Sequence, residues 1–136
     1  AAPFEALRLR AESIEPAPEV LLVTLGSFAE SRPRAGFSAN FFAAGALRTR
    51  ETSADEDAIV ACLCGTDEGY ASEAIERVKA LKARGVRRVI VAGRPGSLEP
   101  SLREAGVDGF VFVGCDAVGF LSEILATFLL AAEESR

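Results

Sequence analysis

The stretch Val20-Leu21-Leu22-Val23-Thr24-Leu25-Gly26 decides the fold class of this chain. It is a continuous run of apolar and β-branched residues that ends in glycine. It lacks the alternation of polar and apolar residues that marks a strand with one face in water. Such runs are typical of parallel strands that helices cover on both faces. We therefore predict a buried central strand over residues 20–25.

Similar apolar runs alternate with single helical patterns along the rest of the chain. Further strands are predicted at residues 58–64, 88–92 and 109–113, and residues 47–50 are predicted to form a short, poorly buried edge strand. Helices are predicted at residues 33–44 (closed by Gly45), 53–57, 67–84 (capped by Thr66 or Asp67), 98–105 and 117–133. Strands that are separated by single helices indicate a parallel sheet with right-handed crossovers. We predict an α/β, flavodoxin-like doubly wound sheet of five parallel strands in the order 2-1-3-4-5.

The residues before the central strand predict an arm and a linker. Pro3 stands at a favourable first helical position, and Phe4 and Leu7 follow it at helical spacing, which favours a short helix. The run Glu15-Pro16-Ala17-Pro18-Glu19 interrupts regular structure. We expect an N-terminal arm and linker over residues 1–18 and a globular domain over residues 19–136. The chain has no methionine, which suggests a fragment of a longer subunit.

Composition excludes several classes of partner. The formal net charge of −5 argues against nucleic-acid and membrane partners, which favour basic surfaces. No run approaches the roughly 20 apolar residues of a membrane span. The 3 cysteines are an odd number without a secretory signal, so we expect a cytoplasmic protein rather than a disulfide framework.

Ligands of doubly wound sheets bind beyond the carboxyl ends of the strands. In this chain those ends are followed by residues 26–33, 64–67, 93–96 and 114–116. Cys62 and Cys64 lie on one face of a strand, but no histidine or second cysteine pair completes a zinc site, so we predict two buried cysteines. Lone Cys115 has no predicted base beside it.

Two other uses of this edge have incomplete sequence support. The stretch Gly93-Arg94-Pro95-Gly96-Ser97 joins a strand to a helix, where backbone amides can hold an anion beside Arg94. It lacks the lysine–serine pair of a P-loop, and a tight turn explains the same residues. A phosphorylated receiver domain needs an aspartate at the end of the third strand, where this chain has Cys64-Gly65. The receiver interpretation therefore fails.

Several segments together resemble methylmalonyl-CoA mutase. They are Ala2–Arg8, the runs at residues 25–45 and 61–64, Ala80-Leu81-Lys82, Ala92–Gly96 and residues 105–110. More narrowly, the chain resembles the carboxyl-terminal, cobalamin-binding-like domain of the small (beta) subunit of bacterial heterodimeric enzymes. The resemblance implies a catalytic large subunit as the heterodimer partner. That subunit would bind adenosylcobalamin and interconvert methylmalonyl-CoA and succinyl-CoA by radical rearrangement.

The cobalamin-binding version of this family carries Asp-x-His-x-x-Gly after the first strand, Ser-x-Leu after the third and Gly-Gly after the fourth. Its histidine ligates cobalt, its aspartate orients that histidine, and the loops enclose the nucleotide tail. This chain contains no histidine. An ungapped alignment from Gly26 places the family's motif residues on Phe28, Glu30, Pro33, Cys64, Thr66, Ala92 and Gly93. Only the final glycine matches.

These departures predict a degenerate pocket. Glu30 supplies a carboxylate in place of a neutral imidazole, and we expect it to pair with Arg32 or Arg34. Phe28 cannot orient a ligand by hydrogen bonding, and Pro33 supplies no backbone N–H. We expect no catalytic residue, no metal site and no cofactor in this domain, whose role would be structural within an isomerase.

Two alternatives stay open on the sequence. One is a functional cobalamin-binding domain of an acyl-CoA mutase that uses a histidine-free binding mode. The other is reuse of the pocket for a different small ligand, such as a flavin or a nucleotide. The choice among sister acyl-CoA mutases depends on a barrel domain that the resemblance places upstream.

Overall fold

In the computed structural model, which describes residues 2–135, five parallel strands form one sheet in the order β2-β1-β3-β4-β5. The strands are β1 Glu19–Thr24, β2 Arg48–Thr52, β3 Val60–Cys64, β4 Arg88–Ala92 and β5 Gly109–Val111. The predicted fold class and strand order are confirmed. Ala1 and Arg136, the outermost residues of the predicted segments 1–18 and 19–136, lie outside the described residues.

Helices cover both faces of this sheet. They are α1 Ala2–Glu12, α2 Phe28–Ala43, α3, α4 Glu99–Ala105 and α5 Ala117–Glu134. Helix α3 is composite, with α-helical Asp67–Gly69, π-helical Tyr70–Ala74 and α-helical Ile75–Ala83 in succession. Within residues 2–135, no helix combines the length and the apolar character that crossing a bilayer requires.

Strand β1 is buried on both of its faces, as predicted. Val20 and Leu22 face α2 and α5 in one apolar cluster, whereas Leu21 and Val23 face α3 in the other. All four side chains are at most 1% exposed. Burying a side chain of this kind contributes roughly 1.5–3 kcal/mol, so β1 anchors both layers.

Helix α1 confirms the short helix that Pro3, Phe4 and Leu7 predict. Leu7 and Ala11 are buried, and so is Ile14 just beyond the helix. They join the cluster that α2 and α5 form on one face of the sheet. The arm therefore contributes to the core of the domain.

The start of α2 differs from the prediction. The helix begins at Phe28, not Pro33, because Ser27 and Glu30 form a capping box. The Ser27 hydroxyl accepts from the Glu30 amide at 3.1 Å, and the Glu30 carboxylate accepts from the Ser27 amide at 2.8 Å. Pro33 lies inside the helix, and the carbonyl that it leaves without a helical donor belongs to exposed Ala29.

The other end of α2 also departs from the prediction. The sequence predicts that Gly45 closes the helix after residue 44. Instead the helix ends at Ala43, and Ala46 takes the left-handed conformation, with φ of 61°. The amides of Gly45 and Leu47 both donate to the Phe42 carbonyl, at 3.0 Å each, so hydrogen bonding at this end favours the observed path.

The helix predicted at residues 53–57 is absent, and an irregular segment over residues 53–59 joins β2 to β3. Its polar groups bond outward to neighbouring elements. Arg77 of α3 pairs with Asp55 at 2.8 Å and donates to the Ser53 carbonyl at 2.9 Å, and Glu56 pairs with Arg50 of β2 at 2.8 Å. A seven-residue connection spans at most about 25 Å. This length is enough for the chain to run back along β2 to the start of β3. The prediction failed because these tertiary contacts outweigh the local helical signal.

Strand β5 is shorter than predicted. It ends at Val111, and the Phe112 carbonyl accepts from the Cys115 amide at 3.1 Å in a turn. Val113, which the prediction placed in the strand, is 77% exposed. The chain therefore leaves the sheet two residues early.

We predict that Arg77→Gln destabilises the domain by about 1–2 kcal/mol, because the half-buried guanidinium holds the irregular segment onto α3. The matched control is Arg84→Gln. Arg84 pairs with Asp57 of the same segment at 3.0 Å, but both side chains are exposed. The control should cost less than about 1 kcal/mol. Urea denaturation followed by circular dichroism measures both, and equal losses would contradict a special role for Arg77.

Candidate functional site

A groove of about 580 Å³ lies at the carboxyl end of the sheet, between α2 and the ends of β4 and β5. Its lining residues are Pro33, Arg34, Phe37, Asp67, Gly93, Arg94, Val111, Phe112 and Val113. This is the end at which doubly wound sheets bind their ligands. The groove is therefore the candidate site.

Arg34 is the residue that organises this edge, although no sequence motif predicts it to lie in the site. Its Nη1 atom donates to the Gly65 carbonyl at 3.0 Å and pairs with the Asp67 carboxylate at 2.9 Å. Its guanidinium lies 5.3 Å from the centre of the Tyr70 ring, within reach of a cation–π attraction. One side chain of α2 thus bridges to the end of β3 and to the start of α3.

Gly93 makes room for Arg34. A Cβ atom at Gly93 would lie 2.6 Å from the Arg34 Cζ atom, and the Gly93 φ of 122° suits glycine. The sequence contained one sign of this arrangement, a glycine directly after an apolar strand. The partner that occupies the space is 59 residues away in sequence, so only the fold identifies it.

Tyr70 ties together the ends of β3 and β4 beneath Arg34. Its hydroxyl accepts from the Gly65 amide at 2.9 Å and donates to the Ala92 carbonyl at 2.6 Å, with the Leu63 carbonyl at 3.1 Å. Burial raises the pKa of Tyr70 well above its ordinary value, so the phenol stays neutral. The π-helical part of α3 begins at this residue.

The residues predicted after β1 lie around the first turn of α2. Gly26 is left-handed, with φ of 79°, and leads into the Ser27 cap. Phe28 is 72% exposed, and its ring lies 5.1 Å from the Arg32 guanidinium. Among these positions only Pro33 lines the groove.

The predicted pairing of Glu30 with Arg32 or Arg34 is wrong. Glu30 caps α2 instead, and the hydrogen bonds from the backbone and the hydroxyl of Ser27 lower the pKa of its carboxyl group. Arg32 pairs with Glu51 of β2 at 2.6 Å, and Arg34 pairs with Asp67. The capping box satisfies Glu30 locally, which leaves both arginines to more distant carboxylates.

The remaining predicted positions lie at the ends of β3 and β4. Cys64 is buried, with its Sγ atom 3.6 Å from the Ser38 hydroxyl, and Thr66 caps α3 by accepting from the Gly69 amide at 3.0 Å. Ala92 is buried and bonds to Tyr70 through its carbonyl, while Gly93 lines the groove. The structure therefore brings Pro33 and Gly93 together, commits Glu30, Cys64, Thr66 and Ala92 to contacts within the domain, and leaves Phe28 exposed.

The cysteines fit the expectation of two buried strand thiols. Cys62 and Cys64 are both buried, and burial raises the pKa of the Cys62 thiol well above its ordinary value. Cys115 is half-buried. Over the described range, no three of the His, Cys, Asp and Glu side chains come close enough together to hold a metal ion.

The chain is related in sequence to methylmalonyl-CoA mutase small subunits, which confirms the resemblance drawn from its motifs. It is 38% identical to the small subunit of Streptomyces virginiae over 90% of this chain and 21% of that protein. It is 33% identical to a probable small subunit of Mycobacterium tuberculosis (92% and 23%) and 32% identical to that of Propionibacterium freudenreichii subsp. shermanii (90% and 21%). The chain spans about a fifth of the length of these relatives. No protein-family model matches it.

Solved structures share the fold at low sequence identity. A CheY-like protein, tadZ of Pseudomonas aeruginosa, superposes with a TM-score of 0.57 at 16% identity, covering 82% of this chain and 92% of that one. HP1043, an orphan response regulator of Helicobacter pylori, gives 0.53 at 14% identity, with coverage of 82% and 97%. These similarities support the flavodoxin-like architecture, and they carry no information about the chemistry of the site.

We predict that Tyr70→Phe destabilises the domain by about 1–3 kcal/mol, because it leaves buried backbone groups of β3 and β4 without their partner. The ring and its packing remain in this variant. The control is Ser72→Ala, which removes an exposed hydroxyl from the same helix and should change stability by less than about 0.5 kcal/mol. Urea denaturation distinguishes them, and an unchanged midpoint for Tyr70→Phe would contradict the assigned role.

Proposed function

We propose that this chain is a cobalamin-binding-like domain of a methylmalonyl-CoA mutase small subunit, that it does not bind cobalamin, and that its role is structural. In this proposal a catalytic large subunit binds adenosylcobalamin and isomerises methylmalonyl-CoA and succinyl-CoA in the cytoplasm. The relationship to small subunits at 32–38% identity supports the first part. The word "small" in the names of those relatives supports the large-subunit partner.

The observation that carries the non-binding proposal is the occupation of the ligand edge by the chain's own side chains. Arg34 crosses from α2 to Gly65 and Asp67, and its guanidinium fills the space over Gly93. Tyr70 spans the ends of β3 and β4 below it. A nucleotide tail would have to displace this salt bridge and these hydrogen bonds.

The donor groups near β1 also fit cobalamin poorly. Cobalt ligation by the family's motif needs a neutral imidazole nitrogen and a hydrogen-bond partner that orients it. The aligned position holds Glu30, whose carboxylate already accepts from Ser27, and the orienting position holds exposed Phe28. The following residues form the first turns of α2, where the motif would place a ligand loop.

The residues of this edge instead fit a structural role. Arg34, Asp67 and Tyr70 join α2, β3, β4 and α3 through charge-assisted and buried hydrogen bonds. These contacts hold the edge in one conformation without a ligand. A preformed surface of this kind loses little conformational entropy when a partner binds it.

The test is a titration of the 136-residue chain with hydroxocobalamin and adenosylcobalamin. We expect an unchanged visible spectrum and no cobalamin eluting with the protein on gel filtration. The positive control is a mutase domain that retains Asp-x-His-x-x-Gly. Saturable binding at micromolar concentration would overturn the non-binding proposal in favour of the histidine-free mode.

A second measurement tests the heterodimer. The complete small subunit, purified with its large subunit and saturated with adenosylcobalamin, should contain one cobalamin per heterodimer. Two cobalamins per heterodimer would place one of them on the small subunit. Failure of the two subunits to co-elute would contradict the partner assignment and leave the cobalamin titration valid.

A further inference from the structure

The groove at the carboxyl end of the sheet carries an excess of positive charge. Arg34 and Arg94 line it with a single carboxylate, that of Asp67. The whole chain has a formal net charge of −5, so this concentration of cations runs against the overall balance. Local positive charge in a concave site favours anionic ligands.

Arg34 presents an unused hydrogen-bonding edge. Both its bond to Gly65 and its salt bridge with Asp67 use Nη1. Its Nε and Nη2 atoms donate to no group of residues 2–135; they lie against Gly93, and 28% of the Arg34 side-chain surface stays exposed. The Nε–Nη2 edge of a guanidinium matches a carboxylate or phosphate with two parallel hydrogen bonds.

Arg94 adds a second cation beside that edge. It forms no ion pair with any carboxylate in the described part of the chain. Its Nη2 atom donates to the Val113 carbonyl at 3.2 Å, and its Cζ atom lies 4.4 Å from the centre of the Phe112 ring. These two contacts hold the side chain at the groove while its charge stays uncompensated.

The rest of the lining is apolar. Phe37, Val111 and Phe112 form the wall between α2 and β5. A volume of about 580 Å³ is in the range of small-molecule sites. An apolar wall beside two cations suits a ligand with a flat body and one anionic group.

We propose that this groove binds a small organic anion, whose carboxylate or phosphate lies between the Nε–Nη2 edge of Arg34 and Arg94. The flat body of the ligand lies against Phe37 and exposed Val113. Asp67, which is 71% exposed on its side chain, stays paired with the Nη1 atom of Arg34 and leaves the Nε–Nη2 edge to the ligand. The chemistry differs from cobalamin ligation, because it needs neither a histidine nor a metal.

The experiment titrates the 136-residue chain with three probes, followed by calorimetry and by ¹H–¹⁵N NMR. Adenosine 5′-monophosphate carries a phosphate and 2-naphthoate carries a carboxylate, whereas adenosine carries neither. At least one anionic probe should bind saturably and shift the amides of Gly93, Gly96 and Gly114. Adenosine should bind at least about tenfold more weakly than the anionic probe, since it lacks the group that forms charged hydrogen bonds.

The variants are Arg94→Gln and its matched control Arg103→Gln. Arg103 lies 5.0 Å from the Phe110 ring, as Arg94 lies over Phe112, but it is outside the groove. Arg94→Gln should weaken the anionic probe about tenfold, and Arg103→Gln should leave binding unchanged.

Three results would overturn the anion site. They are no saturable binding of either anionic probe, equal binding by wild type and Arg94→Gln, and equal weakening by both variants. Cobalamin binding is measured separately, so an empty anion site leaves the proposed function standing, and cobalamin binding leaves the anion site standing.

Discussion

Burial of β1 on both faces is the constraint on which the rest of the structure depends. A parallel strand in the middle of a sheet exposes no face to water, so each face needs a helical layer. Val20 and Leu22 require α2 and α5, and Leu21 and Val23 require α3. Once those layers are in place, the loops after β1, β3 and β4 converge at one edge.

That edge illustrates how a fold that commonly binds ligands can stabilise itself without one. Backbone groups at the ends of β3 and β4 need hydrogen-bond partners, and the Tyr70 hydroxyl supplies them. Arg34 occupies the space that Gly93 leaves and pairs with Asp67. The same arginine keeps the Nε–Nη2 side of its guanidinium free. The carboxyl end of the sheet can therefore exclude a large cofactor and still bind a small anion.

The success of the sequence predictions differs between segments for physical reasons. Strands β1, β3 and β4 and the helices from residues 67 and 117 match the prediction because each carries a long apolar pattern with a cap or a glycine at its end. Pro33 does not begin α2, because the capping box at Ser27 and Glu30 starts the helix before it. The helix at residues 53–57 failed because Arg77, 22 residues from Asp55 in sequence, and Arg50 of β2 bind its acidic residues. The same limit hid Arg34 from the candidate site.

The sequence by itself determined the class of fold, the strand order, the burial of Cys62 and Cys64 and the relationship to mutase small subunits. These properties follow from local hydrophobic patterns and from motifs that keep their order along the chain. Only the tertiary structure decided which charges meet: Arg32 with Glu51, and Arg34 with Asp67 across the ends of three elements. Long charged side chains have several partners within reach in an unfolded chain, and the packing of the backbone selects one of them.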